Sequence, residues 1–180
     1  MRKAFALALL IAVALPFTAQ KAQAQFVLMP YIGYNIESGF GFLVGVGGEF
    51  VAPFEISNLD LSIAPSVEYV FTEDFDGGFG FEGVSTSYIQ INGDVVAKFA
   101  PNGSIAPFAF AGLAFGIFSV DSDISGFDAS SSDLGLNLGG GVSFPGAFGF
   151  GEPYVQGRLT LLDGSAISIL GGLRIPLGAN

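Results

Sequence analysis

Apolar residues alternate with small or polar ones along most of this chain, and this period of two limits the possible folds more than any other feature. In the segment "DLGLNLGGGVSF" (residues 133–144), every second residue from Leu134 onward is apolar or glycine, and the residues between are glycine, asparagine or serine. Successive side chains of a β-strand point to opposite faces. The segment therefore predicts a strand with one apolar face and one bare, polar face.

Strand-like runs recur in eight segments after residue 25, most of them with the same alternation, and none of them has helical periodicity. The predicted strands are 26–35, 40–50, 59–71, 86–99, 105–118, 133–144, 153–162 and 166–177. Each is close to or longer than the roughly 9–11 residues that a tilted strand needs to cross a bilayer. Short turns follow the even-numbered strands, and the two longest, most acidic connections follow strands three and five. This pattern is typical of an antiparallel up-and-down transmembrane barrel.

Residues 1–24 have the composition of an export signal. Two basic residues at positions 2 and 3 precede an apolar run over residues 4–17, and the segment ends in the small-residue sequence "AQA". This order predicts a secretory signal peptide that is cleaved after Ala24. The apolar run is shorter than the roughly 20 residues of a membrane-spanning helix. Residues 25–180 have the length of a single domain.

Amino-acid composition distinguishes a membrane-embedded barrel from a soluble one. Hydrophobic residues make up 51% of the chain and charged residues only 12%, yet no segment after residue 25 is continuously apolar over the length of a membrane helix. A soluble barrel would need charges on the outside of all eight strands, and strands five and six carry almost none. The pattern favours apolar side chains facing lipid and polar ones facing the lumen. Strand five is apolar on both faces, so its alternation assigns no orientation.

The few charges in the strands fall on the polar face. Only three basic residues follow residue 24, against 16 acidic ones, which gives a net charge of −13. Because isolated charges inside a barrel are costly, we expect a structural network of ion pairs in the lumen. Its predicted members are Glu49, Asp60, Lys98 and Arg174 toward the periplasmic end, and Glu68, Asp94 and Arg158 nearer the middle.

Several functions are disfavoured by residue usage. The chain contains no histidine and no cysteine, so the usual proton carrier of acid–base catalysis and all thiolate metal ligands are missing. Its acidic balance argues against nucleic-acid binding. We expect no enzymatic activity and no cofactor. Asp121 and Asp123 begin a loop that partly matches a calcium-binding loop, but its twelfth position is Ser132 rather than glutamate. A solvated acidic loop is the preferred interpretation, and no metal site is predicted.

The export signal, "MPYIGYN" in strand one, the eight strands and "GLNLGGGVSF" in strand six resemble the small eight-stranded outer-membrane β-barrels, a group that includes the OmpA transmembrane domain and the OmpX/Ail proteins. The resemblance covers residues 25–180 and rests on pattern rather than on an invariant motif. It implies a non-catalytic role in surface interaction or envelope integrity at the outer membrane of a Gram-negative-type bacterium. Implied partners are outer-membrane lipid, lipopolysaccharide and an extracellular ligand or host surface that contacts the acidic loops. The barrel is expected to be a monomer.

Two alternatives remain open. A narrow channel or transporter for small or apolar solutes is the first, although eight strands enclose a lumen only wide enough for side chains to fill. A soluble, secreted, lipocalin-like binding barrel is the second. The position of the apolar side chains, inside or outside the barrel, separates it from the other two interpretations.

Overall fold

A computed structural model describes residues 26–36, 40–51, 59–72, 84–122, 129–162 and 164–177 as a closed β-barrel. Its strands are β1 (Phe26–Asn35), β2 (Phe40–Val51), β3 (Leu59–Thr72), β4 (Val84–Phe99), β5 (Ala106–Ser122), β6 (Ala129–Ser143), β7 (Glu152–Leu161) and β8 (Ser165–Leu177). Each strand pairs antiparallel with the next, and β1 pairs with β8 to close the barrel. The predicted eight-stranded up-and-down barrel is confirmed.

The described residues include no helix that is long and apolar enough to cross a membrane. The two ends of the barrel are named here by their connections. The turn rim contains the β4–β5 and β6–β7 connections, the start of β1 and the end of β8. The loop rim is the opposite end.

Three strands extend further than their hydrophobic pattern predicts. Pairing between β3 and β4 reaches only Val70↔Tyr88, and pairing between β6 and β7 begins at Leu136↔Leu161, whereas β4, β5 and β6 stay paired with one another beyond those points. We call residues 84–87, 118–122 and 129–135 the β4–β6 extension. Serine is frequent in this extension, and its backbone pairing continues past the predicted strand ends.

The outer surface is apolar along all eight strands. Leu136 and Ile167 on this surface are 56% and 46% exposed, whereas Arg158 and Arg174 are each 4% exposed in the interior. This is the orientation that the alternation predicts, and it is the reverse of a lipocalin-type barrel. Large apolar side chains on the outer surface include Ile32, Val44, Val46, Ile63, Ile89, Val95, Leu113, Phe115, Leu134, Leu138, Val155 and Ile169.

Strand β5, which the sequence leaves without an orientation, points Phe108 and Phe110 into the lumen and Leu113 and Phe115 outward. Phe110 pairs with Gly139 of β6, and a Cβ atom at Gly139 would overlap the Phe110 ring. The bare face of β6 therefore leaves space at Gly139 for the Phe110 ring of β5. This packing gives the glycines of "DLGLNLGGGVSF" a role that alternation alone does not specify.

Candidate functional site

A buried ion pair occupies the middle of the lumen. Arg158 of β7 reaches across the barrel to Glu68 of β3, where Nη1 donates to Oε2 at 2.9 Å and Nη2 donates to Oε1. The two side chains are 4% and 1% exposed. A bidentate guanidinium–carboxylate pair is among the strongest polar contacts in proteins. Here it joins two opposite walls of the barrel.

Glu68 has a second partner that the strand register brings into reach. Tyr31 of β1 lies opposite Gly45 of β2, and Gly45 lies opposite Glu68. A Cβ atom at Gly45 would overlap the Tyr31 ring. Because glycine leaves this space open, the Tyr31 ring crosses β2 and its hydroxyl donates to Glu68 Oε2 at 2.9 Å. The carboxylate is thereby held by two side chains from different strands.

A second buried group consists of amide side chains on the inner faces of β4 and β6. Asn137 donates to Asn92 at 2.8 Å and to Asp94 at 3.2 Å, and it accepts a hydrogen bond from the Thr160 hydroxyl at 2.9 Å. Gln90 donates to Asn92 at 2.7 Å. These contacts fill the lumen beside the ion pair with satisfied polar groups, as buried polar side chains require.

A third group lies at the turn rim. Lys98 Nζ is 2.7 Å and 3.0 Å from the two carboxylate oxygens of Glu152. Arg174 Nε lies 3.1 Å from Glu49 Oε2, and Arg174 Nη1 lies 3.6 Å from Glu152 Oε1. The Ser62 hydroxyl donates to Glu49 at 2.6 Å. We call Glu49, Lys98, Glu152 and Arg174 the rim cluster.

The structure therefore brings most of the predicted lumen residues into contact with one another, in two separate groups. Glu68 and Arg158 pair in the middle, with Asp94 hydrogen-bonded nearby, and the rim cluster contains Glu49, Lys98 and Arg174. Asp60 is opposite Lys98 in the β3–β4 register but is not among the ion pairs of the described residues. Their role as a stabilising network stays a prediction.

Sequence reasoning missed Glu152, which pairs with both cations of the rim cluster. The predicted strand seven begins at Pro153, so that Glu152 falls in the turn before it. Glu152 is in fact the first residue of β7 and lies opposite Arg174 in the β7–β8 register. Its alternation with Tyr154, Gln156 and Arg158 was the signal that places it on the inner face.

Two cavities lie among the described residues of the lumen. The central cavity, beside Arg158, has a volume of about 30 Å³, which is room for about two water molecules. A larger cavity of about 290 Å³ lies at the turn rim, between the rim cluster and the β6–β7 connection. The contrast shows a lumen that is filled in the middle and open at the turn rim.

No set of three acidic residues, within the described ranges, lies close enough together to hold a metal ion. The partial calcium loop lies largely outside these ranges. They include neither residues 123–128 nor the side chain of Asp121. The described polar groups of the lumen contact one another, an arrangement suited to filling and cross-linking the barrel.

Comparisons with protein-family models and with curated protein sequences find no match. Solved structures do match in fold. The attachment invasion locus protein Ail of Yersinia pestis superposes with a TM-score of 0.58 at 14% identity, covering 87% of this chain and all of Ail. Neisserial surface protein A gives 0.56 at 15% identity, covering 86% and 96% of the two chains. The outer membrane enzyme PagL gives 0.52 at 20% identity, covering 84% and 99%. At these identities the likeness establishes a shared fold.

Proposed function

We propose that this chain, which has the fold of the small eight-stranded outer-membrane barrels, is itself an integral outer-membrane protein with a non-catalytic role in surface interaction or envelope structure. The observation that carries this proposal is the apolar exterior described above. Leu138, for example, is 58% exposed and Val95 is 56% exposed. Monomeric soluble proteins seldom expose an apolar surface of more than a few hundred Å². Lipid is the solvent that suits such a surface.

Aromatic rings at both rims support the same placement. Tyr69 and Phe71 pack with centroids 5.0 Å apart near the loop rim, and Phe42 lies 6.0 Å from Phe71. Phe26 and Phe50 pack with centroids 5.0 Å apart near the turn rim. Membrane barrels carry aromatic girdles of this kind at the two interfaces. The apolar belt between the girdles would contact the acyl chains of lipid and lipopolysaccharide.

The proposed orientation places the loop rim outside the cell and the turn rim in the periplasm. Long extracellular connections and short periplasmic turns are the rule for such barrels, and the two longest acidic connections here join strands at the loop rim. Export would require the proposed signal peptide, residues 1–24, to be removed. The barrel would act as a monomer, because it has no free sheet edge between the rims.

A surface-interaction role is supported by the β4–β6 extension. Among the described residues, 84–87 and 129–135 pair on one side only, and the two strand edges have no second strand partner within those ranges. An extended peptide can add to such an edge by main-chain hydrogen bonds. Ail, the attachment invasion locus protein, has the same fold and has been solved in complex with a heparin analogue.

Enzymatic activity has less support, although PagL shows that the fold can carry an enzyme. The full chain has no histidine. The buried polar groups nearest the middle of the lumen are held by ion pairs and hydrogen bonds with one another rather than directed toward an open cleft. We therefore favour a non-catalytic protein.

Membrane location is tested by extraction. We expect the mature protein to stay with the outer-membrane fraction after washing with sodium carbonate or high salt and to be released by detergent, because the apolar belt needs an apolar solvent. Immunoblots of the washed membranes and supernatants measure this. Release by carbonate alone would contradict the proposal and favour a secreted binding barrel.

The channel alternative is tested by conductance. Because the lumen is filled by Arg158, Glu68 and the neighbouring amides around a cavity of about 30 Å³, we expect no stepwise current when the purified barrel is inserted into planar bilayers. A porin that conducts in the same bilayers is the positive control. Regular, sizeable steps that scale with the amount of inserted protein would favour the channel instead.

A further inference from the structure

We propose that the turn-rim cavity binds a neutral saccharide. Its volume of about 290 Å³ suits a small ligand, and its lining combines charged groups of both signs with exposed aromatic rings. This site lies at the opposite end from the β4–β6 extension, so the inference goes beyond the surface role proposed above.

Arg174 supplies the first reason to expect a ligand with hydroxyl oxygens. Its side chain is 4% exposed and lines the cavity, and Nε and Nη1 lie 3.1 Å and 3.6 Å from carboxylate oxygens of Glu49 and Glu152 without making a hydrogen bond within the described part of the chain. Phe108 lies under the guanidinium, with its centroid 4.5 Å from Cζ. Buried donors without acceptors cost free energy. Nε and Nη1 are shielded from the cavity, so a ligand oxygen accepts from them once the guanidinium turns toward the cavity floor.

The charge balance of the cavity favours a neutral ligand over a charged one. Glu49, Asp60 and Glu152 face Lys98 and Arg174, and four of these five already form ion pairs. An anion would meet three carboxylates, and an ammonium ion would meet both cations. A polyol avoids both penalties, because each hydroxyl can donate to a carboxylate such as Asp60 and accept from a cation.

The β6–β7 connection adds an apolar platform. The rings of Phe148 and Phe150 stack with an interplanar angle of 4° and centroids 5.6 Å apart, and both line the cavity. They are 50% and 65% exposed. The flat face of an aromatic ring packs well against the C–H face of a sugar ring, whose hydroxyls then point toward the charged floor. The C–H face of a saccharide would thus contact the aromatic rings, and its hydroxyls would contact the charged groups.

The test uses the mature barrel in lauryldimethylamine oxide micelles, because this detergent has no sugar head group that could occupy the cavity. Chitotetraose and maltotetraose are titrated while backbone amide signals are followed by NMR. We expect saturable shifts centred on residues 146–151 with an apparent Kd of about 1 mM or tighter for at least one of the two.

Two substitutions test the assignment of the site. Phe150→Ala is expected to weaken binding about fivefold or more by removing a stacking surface, and Asp60→Ala is expected to weaken it by a similar factor. Phe71→Ala, an exposed aromatic at the loop rim, is the matched control and should leave the Kd unchanged. Because Asp60 and Phe150 lie on different segments, a folding defect in one variant leaves the other as a test.

Three results would overturn the proposal. The first is the lack of saturable shifts for both oligosaccharides at about 10 mM. The second is binding of spermidine or sucrose octasulfate at this rim without binding of either neutral oligosaccharide. The third is saccharide binding that moves signals at the loop rim instead and is unaffected by both site substitutions.

Discussion

Replacing Arg158 by methionine is expected to lower the free energy of unfolding by about 3–5 kcal/mol, because Glu68 would remain buried without its cationic partner. The Glu68 side chain is 1% exposed, and its carboxylate accepts hydrogen bonds from Nη1 and Nη2 of Arg158. Tyr31 would be its one remaining hydrogen-bond partner among the lumen contacts described above. The measurement is urea-induced unfolding of the barrel in lipid vesicles, followed by the mobility shift of folded and unfolded forms on cold gels.

A double variant distinguishes the cost of leaving Glu68 unpaired from the stability that the ion pair itself contributes. Glu68→Leu combined with Arg158→Met removes both charges and keeps apolar volume in the lumen, so we expect it to recover most of the lost stability. Unchanged or raised stability in the single Arg158→Met variant would show that the ion pair is not a stabilising feature. The lumen charges would then need another explanation.

Replacing Leu138 by arginine is expected to lower the free energy of unfolding in a bilayer by about 2–4 kcal/mol. Leu138 is 58% exposed on the outer surface and lies opposite Leu159 in the β6–β7 register. On the surface of a soluble protein, a substitution at so exposed a position would change stability by about 0.5 kcal/mol or less. The large expected cost comes from placing a guanidinium among acyl chains. Unfolding from lipid vesicles measures it.

Leu134→Arg is the matched control for this variant. Leu134 lies on the same strand and the same face and is 70% exposed, but it belongs to the β4–β6 extension, beyond the last β6–β7 pair at Leu136↔Leu161. We expect a cost of about 1 kcal/mol or less there, as near an interface. Equal, small costs at both positions would contradict the membrane placement of the outer face.

The strand number and the faces of most strands were predictable from local pattern. Leu136 faces outward and Arg158 inward as alternation predicts, because a strand sends neighbouring side chains to opposite sides whatever surrounds it. The even count and the alternating connections then favoured a closed antiparallel barrel. These features depend on residues close in sequence, and so they can be recognised in the sequence alone.

The contacts of the site join residues on strands that are far apart in sequence. Asp60, Lys98 and Glu49 are predicted to lie inside, but the β3–β4 register places Lys98 beside Asp60, and its contact with Glu152 of β7 depends on how the side chain crosses the lumen. Glu152 was missed because its strand begins at the edge of a glycine-rich turn. The aromatic platform of Phe148 and Phe150 depends on how that turn folds, which alternation does not specify.

Local pattern specifies eight strands, most of them with apolar residues on one face and the rare charges on the other, since backbone geometry sets that alternation residue by residue. Three features depend on the closed barrel instead: β5 points Phe108 and Phe110 inward, the Tyr31 ring crosses Gly45 to reach Glu68, and a cavity remains at the turn rim. The physical reason is volume. A closed barrel has a fixed interior, and which side chains fill it depends on the space left by residues on strands far apart in sequence.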